Sequence, residues 1–514
     1  MLAKIYSAAV HGIDALPVTV EVLADKGTNF TIVGLPDTAV KESYQRILSA
    51  MQQSRLLFPH CRLVINLSPA DVKKEGAAFD LPMALGILAA NENIKAEAVA
   101  DCMVTGELSL DGSILPVKGV LPMAIKAREM GFKRMIVPEA NATEAAVVND
   151  VVVYGMRNLA QAVAFLNGKE EVQPTVVDTR EQFRLHLGRF DFDFSEVKGQ
   201  FAVKRALEVA CAGGHNILLV GSPGSGKSMM SKRIPSILPP LSLAEALETT
   251  KIHSVAGKLG RGSMLMTSRP FRAPHHTVSP VALVGGGTNP QPGEISLAHN
   301  GVLFLDEFPE FPRSVLEVLR QPVEDRVITV SRAKYIVDYP ASFMLVASMN
   351  PCPCGWYGHP KKPCTCMPGA VTKYMNRISG PLLDRIDLQI EISPVEFDEM
   401  ADNVPAESSS EIRSRVVEAR NIQLQRFKDE PSIHCNAQMN SRQIRKYAWP
   451  EEGGLKRLKN AMERYSMSAR AFDRILKVSR TIADLDRSEK VTAAHIAEAI
   501  GYRNLDRASY GTLY

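Results

Sequence analysis

One short stretch limits what this chain can fold into more than any other: an apolar run that leads into a glycine-rich loop. Residues 217–220 are apolar, and the residues that follow match the pattern G-x-x-x-x-G-K-S. They are Gly221, Ser222, Pro223, Gly224, Ser225, Gly226, Lys227 and Ser228. Glycines let the backbone wrap so that its N–H groups converge on phosphate oxygens. The pattern therefore predicts a buried strand, a phosphate-binding loop and a helix.

The last two residues of this pattern carry side chains suited to ATP and Mg²⁺. We expect Lys227 to reach the β- and γ-phosphates and the Ser228 hydroxyl to bind Mg²⁺. The alternative is a simple glycine turn between a core strand and a helix. A lysine and a serine at the required positions favour the nucleotide site.

Composition permits a wide range of soluble functions. The chain has 514 residues, with 45% hydrophobic and 23% charged residues and a net charge of +4. This balance is typical of globular proteins, and the mild basicity allows a polyanionic partner without requiring one. No apolar run is long enough to cross a bilayer, and the first residues alternate like a strand and not like a signal peptide. Four scattered cysteines suit reduced thiols, so we expect a cytoplasmic protein.

The patterns along the chain divide it into four regions. Residues 1–167 mix short strands and helices, and residues 168–190 are polar with few apolar anchors, which predicts a linker. Residues 191–394 alternate apolar strands with helical patterns, as a parallel α/β sheet does. Residues 395–514 are helical in pattern. We therefore predict an α/β fold class with a helical C-terminal region.

Two further apolar strands end in polar residues that suit ATP hydrolysis. Residues 301–305 lead into Asp306 and Glu307, and residues 343–349 lead into Asn350. Asp306 is expected to hold Mg²⁺ through water, and Glu307 to polarise the attacking water. Asn350 is positioned to orient that water or the γ-phosphate. The alternative for the acid pair is a helix N-cap, which the upstream loop makes less attractive.

At residues 194–507 the chain resembles the AAA+ ATPases, in particular the magnesium-chelatase-like branch. The resemblance implies an AAA+ core over residues 191–394 and a helical lid over residues 395–514. Gln200 lies in the segment that packs on adenine in that family, and Asn350 would be sensor 1. In the same way, Arg470 would be sensor 2.

The same resemblance implies an arginine finger. Arg385, in residues 380–387, would reach the nucleotide of a neighbouring subunit, and Arg377 is a rival for this role. Salt bridges or helix caps are the alternatives for Arg385 and Arg470. A finger that acts in trans requires head-to-tail contacts, and such contacts close into rings. The family suggests a homo-hexamer.

Two insertions are candidates for DNA contact in the pore of such a ring. The first includes Arg272 and the adjacent pair His275 and His276, for which a structural or pore-loop role is favoured over metal binding. The second is a predicted hairpin whose tip carries Arg332 and Lys334, and two cations there suit phosphate contact. A solvated turn is the alternative for this hairpin.

A cysteine cluster follows Asn350. Cys352 and Cys354 form one close pair, and Cys364 and Cys366 form another. Four thiolates can supply a tetrahedral Zn²⁺ site, although the spacing is C-x-C and not the usual C-x₂-C. Reduced loop thiols and redox disulfides are the alternatives, and His359 could replace one thiolate.

The N-terminal region resembles the domain of Lon proteases, in residues 74–80, 105–107 and 115–123. In that family a serine and a lysine form the catalytic dyad. Here the matching positions are Ala78 and Met123, and neither side chain can act as nucleophile or base. We therefore predict an inactive Lon-protease-like α+β domain at residues 1–167 that serves as a scaffold or contacts DNA.

The combination resembles the YifB/ComM family across nearly the whole chain. Residues 272–276, 292–301 and 349–355 carry the match. The resemblance implies an ATP-dependent hexameric DNA helicase that promotes branch migration in homologous recombination during natural transformation. Its partners would be single-stranded, forked or branched DNA and further copies of itself, without a membrane. A chelatase-like motor that remodels a protein partner is the alternative, and the missing dyad opposes an ATP-dependent protease.

Overall fold

The computed structural model describes residues 1–178, 190–260, 264–287, 290–332, 335–394, 406–430 and 433–503. Its contacts divide into two units. The first unit comprises Met1–His186, Leu243–Thr267 and Pro290–Pro292. The second unit comprises Leu187–Ser242, Ser268–Asn289 and Gly293–Tyr514. A segment that follows the glycine-rich loop in sequence therefore groups with the N-terminal residues, which differs from the continuous division expected above.

The described strands are β1 Leu2–His11, β2 Asp14–Asp25, β3 Phe30–Val33, β4 Arg62–Ser68, β5 Cys102–Val104, β6 Glu107–Leu108, β7 Ile114–Leu115, β8 Arg134–Pro138, β9 Val152–Met156, β10 Ile217–Gly221, β11 Phe271–Arg272, β12 Gly285–Gly286, β13 Gln291–Pro292, β14 Val302–Leu305, β15 Val327–Arg332, β16 Tyr335–Pro340, β17 Met344–Met349 and β18 Leu388–Ile392.

The described α-helices are α1 Thr38–Lys41, α2 Ser43–Gln53, α3 Asp80–Ala90, α4 Val120–Glu129, α5 Ala142–Ala145, α6 Leu159–Leu166, α7 Phe201–Gly213, α8 Lys227–Ile237, α9 Leu243–Val255, α10 Pro280–Val284, α11 Glu294–Leu297, α12 Arg313–Val318, α13 Arg320–Asp325, α14 Ala370–Met375, α15 Gly380–Leu383, α16 Ser409–Arg426, α17 Ser441–Tyr447, α18 Glu452–Tyr465, α19 Ala469–Leu485 and α20 Ala493–Gly501.

The first unit is built on a seven-stranded mixed sheet in the order β3-β4-β2-β1-β5-β8-β9. β1, β2 and β4 pair antiparallel, whereas the remaining neighbours pair parallel. Every residue of α3 is buried, because this apolar helix packs into the core of the unit. The mixture of short strands and helices predicted for residues 1–167 is confirmed.

The second unit contains a five-stranded, all-parallel sheet in the order β11-β14-β17-β10-β18. β10, β14 and β17 are buried along their whole length, as strands covered on both faces are. β11, β14 and β17 all lie on one side of β10, and β18 lies on the other side. The strand order therefore reverses at β10. Ligands of open α/β sheets bind at the carboxyl ends of the strands beside such a point. The predicted parallel α/β core is confirmed.

Helices α16 to α20 follow this sheet and form the predicted helical region. Ser468 caps α19, since its side chain accepts a hydrogen bond from the Ala471 N–H. Ile475, Leu476 and Ile482 of α19 are fully buried in the core of the unit. Among the described residues, no helix has the length and apolar character needed to cross a membrane.

Candidate nucleotide site and cysteine cluster

The glycine-rich loop connects β10 to α8 in the second unit. Gly224 and Gly226 adopt φ angles of 81° and 89°, which favour glycine, and α8 begins at Lys227 directly after them. The hydroxyl oxygens of Ser222 and Ser225 are buried without a hydrogen-bond partner among the described residues. Buried polar atoms without partners are costly, so this loop is shaped to receive a polar group.

Lys227 folds back over the loop. Its Nζ donates to the carbonyl oxygens of Gly221 and Ser222, at 2.6 and 2.9 Å. It also lies 3.2 Å from Asn350 Oδ1, which places the amide predicted as sensor 1 at the loop. Burial lowers the pKa of Lys227, and the nearby charge of Asp306 opposes this effect. Among the described residues, the hydrogen-bond partners of this ammonium group are therefore neutral oxygens beside the loop.

Asp306 joins the loop helix to the neighbouring strand. Its Oδ2 accepts a hydrogen bond from Ser228 Oγ at 2.7 Å, and its Oδ1 accepts one from Ser348 Oγ. Leu305 of β14 pairs with Ala347 of β17, so the next residues in the two strands meet at the sheet edge. Ser348 was not predicted as a site residue, although its position two residues before Asn350 could have indicated this contact. A carboxylate and a hydroxyl this close are a fitting pair of Mg²⁺ ligands.

Glu307 has a left-handed backbone conformation with φ of 53°, at the end of β14. Its Oε2 lies 3.2 Å from Nδ1 of His276. Strand β11 pairs with β14 so that Phe271 is opposite Val302, and the same offset continued past the strand ends brings these two residues together. The sequence patterns missed this contact. It links the first insertion to the residue expected to polarise water.

Gln200, predicted to lie near adenine, contacts the residue that follows the neighbour of the loop strand. It precedes α7 with φ of 56°, and its Nε2 donates to the carbonyl oxygen of Ser393 at 2.6 Å. Ser393 follows β18, the neighbour of β10. The side chain is therefore held by the strand next to the loop strand.

The three arginines predicted to sense or complete the site have no described hydrogen bond or ion pair with the loop. Arg385 is paired with Glu324 and donates to the carbonyl oxygen of Pro381 at 2.7 Å, and only 11% of its side chain is exposed. Arg377 pairs with Glu310 at 2.8 Å and is 52% exposed. Arg470 is exposed on the first turn of α19 and has no ionic partner among the described residues. No described hydrogen bond connects Arg385 or Arg470 to the loop of the same chain.

The structure describes only some of the residues that were predicted to contact DNA. Arg272 forms a bidentate ion pair with Glu294, with distances of 2.6 and 2.7 Å. β15 and β16 pair antiparallel as the predicted hairpin. The side chain of Arg332 and all of Lys334 lie outside the described residues.

The four clustered cysteines converge. The Sγ atoms of Cys352 and Cys354 are 3.3 Å apart, and those of Cys354 and Cys364 are 3.5 Å apart. All four sulfurs, including that of Cys366, lie within 4.8 Å of one another. Among the described residues, His359 is not part of this group, and its Nδ1 accepts hydrogen bonds from two backbone N–H groups that follow it. All four cysteines are free thiols in the structure.

The thiols of this cluster differ in acidity. Burial acts to raise the pKa of Cys354, but the backbone N–H groups of Trp356 and Thr365 outweigh it, and the pKa is lowered. Burial raises the pKa of Cys366, and neighbouring thiols add to the effect. The pKa of Cys354 is therefore lower than that of Cys366.

A buried charged cluster connects the sheet to α19. Asp387 is fully buried and bonds to the guanidinium of Arg474 at 3.0 Å and to the Asn216 N–H at 2.9 Å. His215 Nδ1 lies 3.6 Å from the same carboxylate. Burial acts to raise the pKa of Asp387, but Arg474 and then His215 hold it well below its usual range. This cluster was not predicted, because its members are far apart in sequence.

In the first unit, the two positions that match the Lon dyad lack reactive groups. Ala78 lies just before α3, and its carbonyl oxygen accepts from the Gly106 N–H at 3.0 Å. Met123 is buried in α4. Near them, Asp80 is buried and paired with Arg46 at 2.6 Å, and burial raises the pKa of Asp80 to about 6 despite this partner. Neither dyad position can supply a nucleophile or a base.

The site as a whole fits ATP and Mg²⁺. The loop has buried hydroxyls without partners, an ammonium group at its centre, and the Ser228–Asp306 pair beside it. The oxygens of Ser228 and Asp306 suit a metal ion, and the ammonium and hydroxyl groups of the loop can donate to phosphate oxygens beside it. The structure therefore brings together Lys227, Ser228, Asp306, Glu307 and Asn350 within one edge of the sheet.

Protein-family models match most of the chain. The model described as "Magnesium chelatase, subunit ChlI" matches residues 193–400. The model described as "Subunit ChlI of Mg-chelatase" matches residues 20–141, and the model of the C-terminal part of that subunit matches residues 406–503. The matches thus fall in both units.

Two relatives cover nearly all of the chain. "Competence protein ComM" of Haemophilus influenzae is 42% identical over 509 residues, which are 98% of this chain and 98% of that protein. YifB of Escherichia coli is also 42% identical over 509 residues, with 98% of both chains covered. Lon protease 2 of Hydrogenovibrio crunogenus is 35% identical over 99 residues, 19% of this chain and 11% of that protein.

Proposed function

The chain belongs to the ComM/YifB family of magnesium-chelatase-like AAA+ ATPases, and we propose that it is an ATP-driven DNA translocase that remodels branched DNA. The observation that carries the catalytic half of this proposal is the contact set of Lys227, Ser228 and Asp306 at the carboxyl edge of a parallel sheet. The DNA half is supported by the full-length similarity to a protein named for competence.

Each residue of this site has its own role in the proposed hydrolysis of ATP. Lys227 neutralises charge on the β- and γ-phosphates, and Ser228 and Asp306 hold the metal ion. Bound Mg²⁺ would stabilise the negative charge that develops on the phosphate oxygens. Glu307 polarises the attacking water, and Asn350 keeps that water or the γ-phosphate in place.

The remaining charge stabilisation comes from a neighbouring subunit in this proposal. An arginine that acts in trans requires a head-to-tail interface, and we propose a homo-hexameric ring. Arg385 is the proposed finger and Arg470 the proposed sensor from the helical lid, with the lid taken as residues 395–514. Because Arg385 is held by Glu324 in the structure, nucleotide-dependent release of this ion pair is part of the proposal.

DNA contact is proposed at the tip of the hairpin formed by β15 and β16. The sequence carries Arg332 and Lys334 at this tip, and cations there would track the phosphate backbone without reading bases. Arg272 is the weaker candidate, because Glu294 already neutralises its charge. Branch migration in homologous recombination during natural transformation is the proposed role, and it places the protein in the cytoplasm with its DNA.

A chelatase-like motor that remodels a protein partner is the second candidate. The family models named for a magnesium-chelatase subunit favour it. Such a motor would hydrolyse ATP with the same residues, but its turnover would respond to a protein partner and not to DNA. The two candidates therefore differ in their activator and not in their chemistry.

Strand separation tests the proposed function. The purified protein is incubated with ATP and labelled forked DNA or a four-way junction, and the products are resolved by native electrophoresis. We expect ATP-dependent conversion of both substrates by the wild type, and none by Lys227→Ala, which lacks the cation that neutralises the phosphates. Intact substrates under conditions in which the wild type hydrolyses ATP would reject the DNA role. Casein degradation in parallel reports any protease activity.

A further inference from the structure

The connection between β17 and α14 has no regular secondary structure of its own. Residues 350–369 contain turns and bends only, yet they lie beside the glycine-rich loop. Long irregular connections in compact domains are uncommon and are usually held by specific contacts. The four cysteines are the group in this connection that can supply such a constraint.

The geometry of the sulfurs suits a metal ion better than a disulfide pair. The four sulfurs share one small volume, with all mutual separations within 4.8 Å. Sulfurs that bind Zn²⁺ at about 2.3 Å in a tetrahedron are separated by distances of this order. A pair of disulfides would instead bring the sulfurs together two by two. Cys352 is fully buried and the other three are half-buried, so the centre of the cluster is shielded from solvent.

Besides the Lys227–Asn350 contact, the cysteine-bearing connection touches the glycine-rich loop at Pro223. Gly355 has φ of 83°, and a Cβ atom placed there would lie 2.6 Å from Cδ and 2.8 Å from Cγ of Pro223. Both distances are shorter than real Cβ contacts. The backbone of the connection therefore rests directly on the proline of the phosphate-binding loop. The Gly355 N–H donates to the Cys352 carbonyl oxygen at 3.0 Å, which ties this contact to the first thiol.

We propose that Cys352, Cys354, Cys364 and Cys366 bind one structural Zn²⁺, and that this zinc loop supports the glycine-rich loop through Gly355 and Pro223. Four thiols lose their protons when the ion binds, and no oxidation is involved. Zinc in a closed four-thiolate shell has no open position for substrate, so its role is structural. The second half of the proposal rests on the proposed nucleotide site, and it makes nucleotide affinity depend on metal loading.

Two glycines of the zinc loop offer a matched pair of variants. Gly355 and Gly358 both have positive φ, 83° and 75°, so an alanine is strained at either position. Only at Gly355 would the added methyl group collide with Pro223, whereas at Gly358 the nearest atom lies 3.7 Å away. Gly355→Ala thus disturbs the contact with the glycine-rich loop, and Gly358→Ala controls for backbone strain.

The experiment measures zinc and nucleotide separately in the full chain. Zinc is measured by elemental analysis of reduced protein purified without chelators, and affinity is measured with a fluorescent ADP in the absence of DNA. We expect about one zinc per chain in the wild type and in both glycine variants, and none in Cys354→Ser combined with Cys364→Ser. We expect ADP affinity to fall on the order of tenfold in Gly355→Ala and in the cysteine variant, and to stay near wild type in Gly358→Ala.

Three results would overturn the proposal. Wild-type protein without zinc removes the metal site, and this result does not depend on nucleotide or DNA. Equal ADP affinity in Gly355→Ala and Gly358→Ala removes the supporting contact. Unchanged affinity in a zinc-free, folded cysteine variant separates the metal from the nucleotide site. Because every measurement is made without DNA, failure of the translocase function gives a different pattern, with zinc and ADP binding intact and no strand separation.

Discussion

Nδ1 of His276 lies 3.2 Å from Oε2 of Glu307. The histidine belongs to the first insertion, and the glutamate follows Asp306 just after β14 ends at Leu305. At this distance the imidazole contacts one carboxylate oxygen and so restricts where the other can point. We expect the contact to give the insertion a direct way to control the residue proposed to polarise water.

This contact predicts a specific kinetic defect. His276→Ala should lower the rate of ATP hydrolysis on the order of tenfold or more, because Glu307 loses its fixed orientation. Nucleotide affinity should be unchanged, since the glycine-rich loop is untouched. His275→Ala is the matched control, because His275 bonds to Thr277 and not to Glu307. Steady-state kinetics and nucleotide binding separate the two effects, and equal rates for the two variants would show that the contact has no catalytic role.

The candidate finger can be tested by mixing subunits. Arg385→Ala should bind ATP like the wild type but hydrolyse it on the order of 10³-fold more slowly, because transition-state charge from the neighbour is lost. Mixing it with Lys227→Ala subunits should restore part of the activity at hybrid interfaces.

Arg377→Ala is the comparison for the same assay, because Arg377 is the more exposed of the two arginines. If Arg377→Ala shows the large defect and is rescued in mixtures while Arg385→Ala retains its turnover, the finger assignment moves to Arg377. Mixtures without activity at every ratio, after confirmed subunit exchange, would place both arginines in a role within their own chain.

The buried carboxylate of Asp387 predicts a pH-dependent loss of stability. Asp387→Asn should lower the free energy of unfolding of the second unit by about 3–5 kcal/mol at pH 7, since Arg474 would be left without its buried partner. The folded-state pKa is depressed, so this contribution is present above the unfolded value of about 3.9 and is lost as pH falls below it.

The measurement uses the two tryptophans, which both lie in the second unit. Denaturant unfolding followed by tryptophan fluorescence should show a large difference between wild type and Asp387→Asn at pH 7. The difference should shrink as pH falls below about 4. A gap that is independent of pH would mean that the carboxylate charge is not the stabilising feature.

We expect substitutions at the hairpin tip to change the salt dependence of DNA binding. Replacing Arg332 and Lys334 by alanine should weaken binding to all sequences equally and reduce the slope of log K against log salt by roughly two units, about one for each lost phosphate contact. Basal ATP hydrolysis should remain. Alanine at the exposed Lys456 and Arg457 of α18 removes the same charge elsewhere and should leave the slope unchanged. Fluorescence anisotropy over a salt series gives the slopes, and identical slopes for the two double variants would exclude the tip as the DNA grip.

The proximity of the candidate catalytic residues was predictable because they lie in short contiguous patterns. Lys227 and Ser228 end the glycine-rich loop, and Asp306, Glu307 and Asn350 each follow an apolar strand. Parallel strands bring such ends to one edge of a sheet, so the patterns predict both the residues and their proximity. The four cysteines were predictable for the same reason, since both pairs lie close in the chain.

The contacts that depend on register or tertiary packing could not be predicted. The His276–Glu307 pair follows from the alignment of β11 with β14, which no local pattern encodes. The Gly355–Pro223 contact needs the path of an irregular connection. Helix α9 is buried around much of its surface and has no clear apolar face. It packs in the first unit, where the Gly119 N–H donates to the carbonyl oxygen of Ser254. No sequence pattern indicated this packing.

The most direct test of the account is ATP turnover by the wild type as forked DNA is added. We expect the rate to rise with DNA to a plateau. We expect Glu307→Gln to bind ATP yet stay near zero at every DNA concentration, because water is no longer polarised. A wild-type rate that is the same without DNA and with saturating forked and four-way-junction DNA would contradict the central claim that ATP hydrolysis is coupled to DNA.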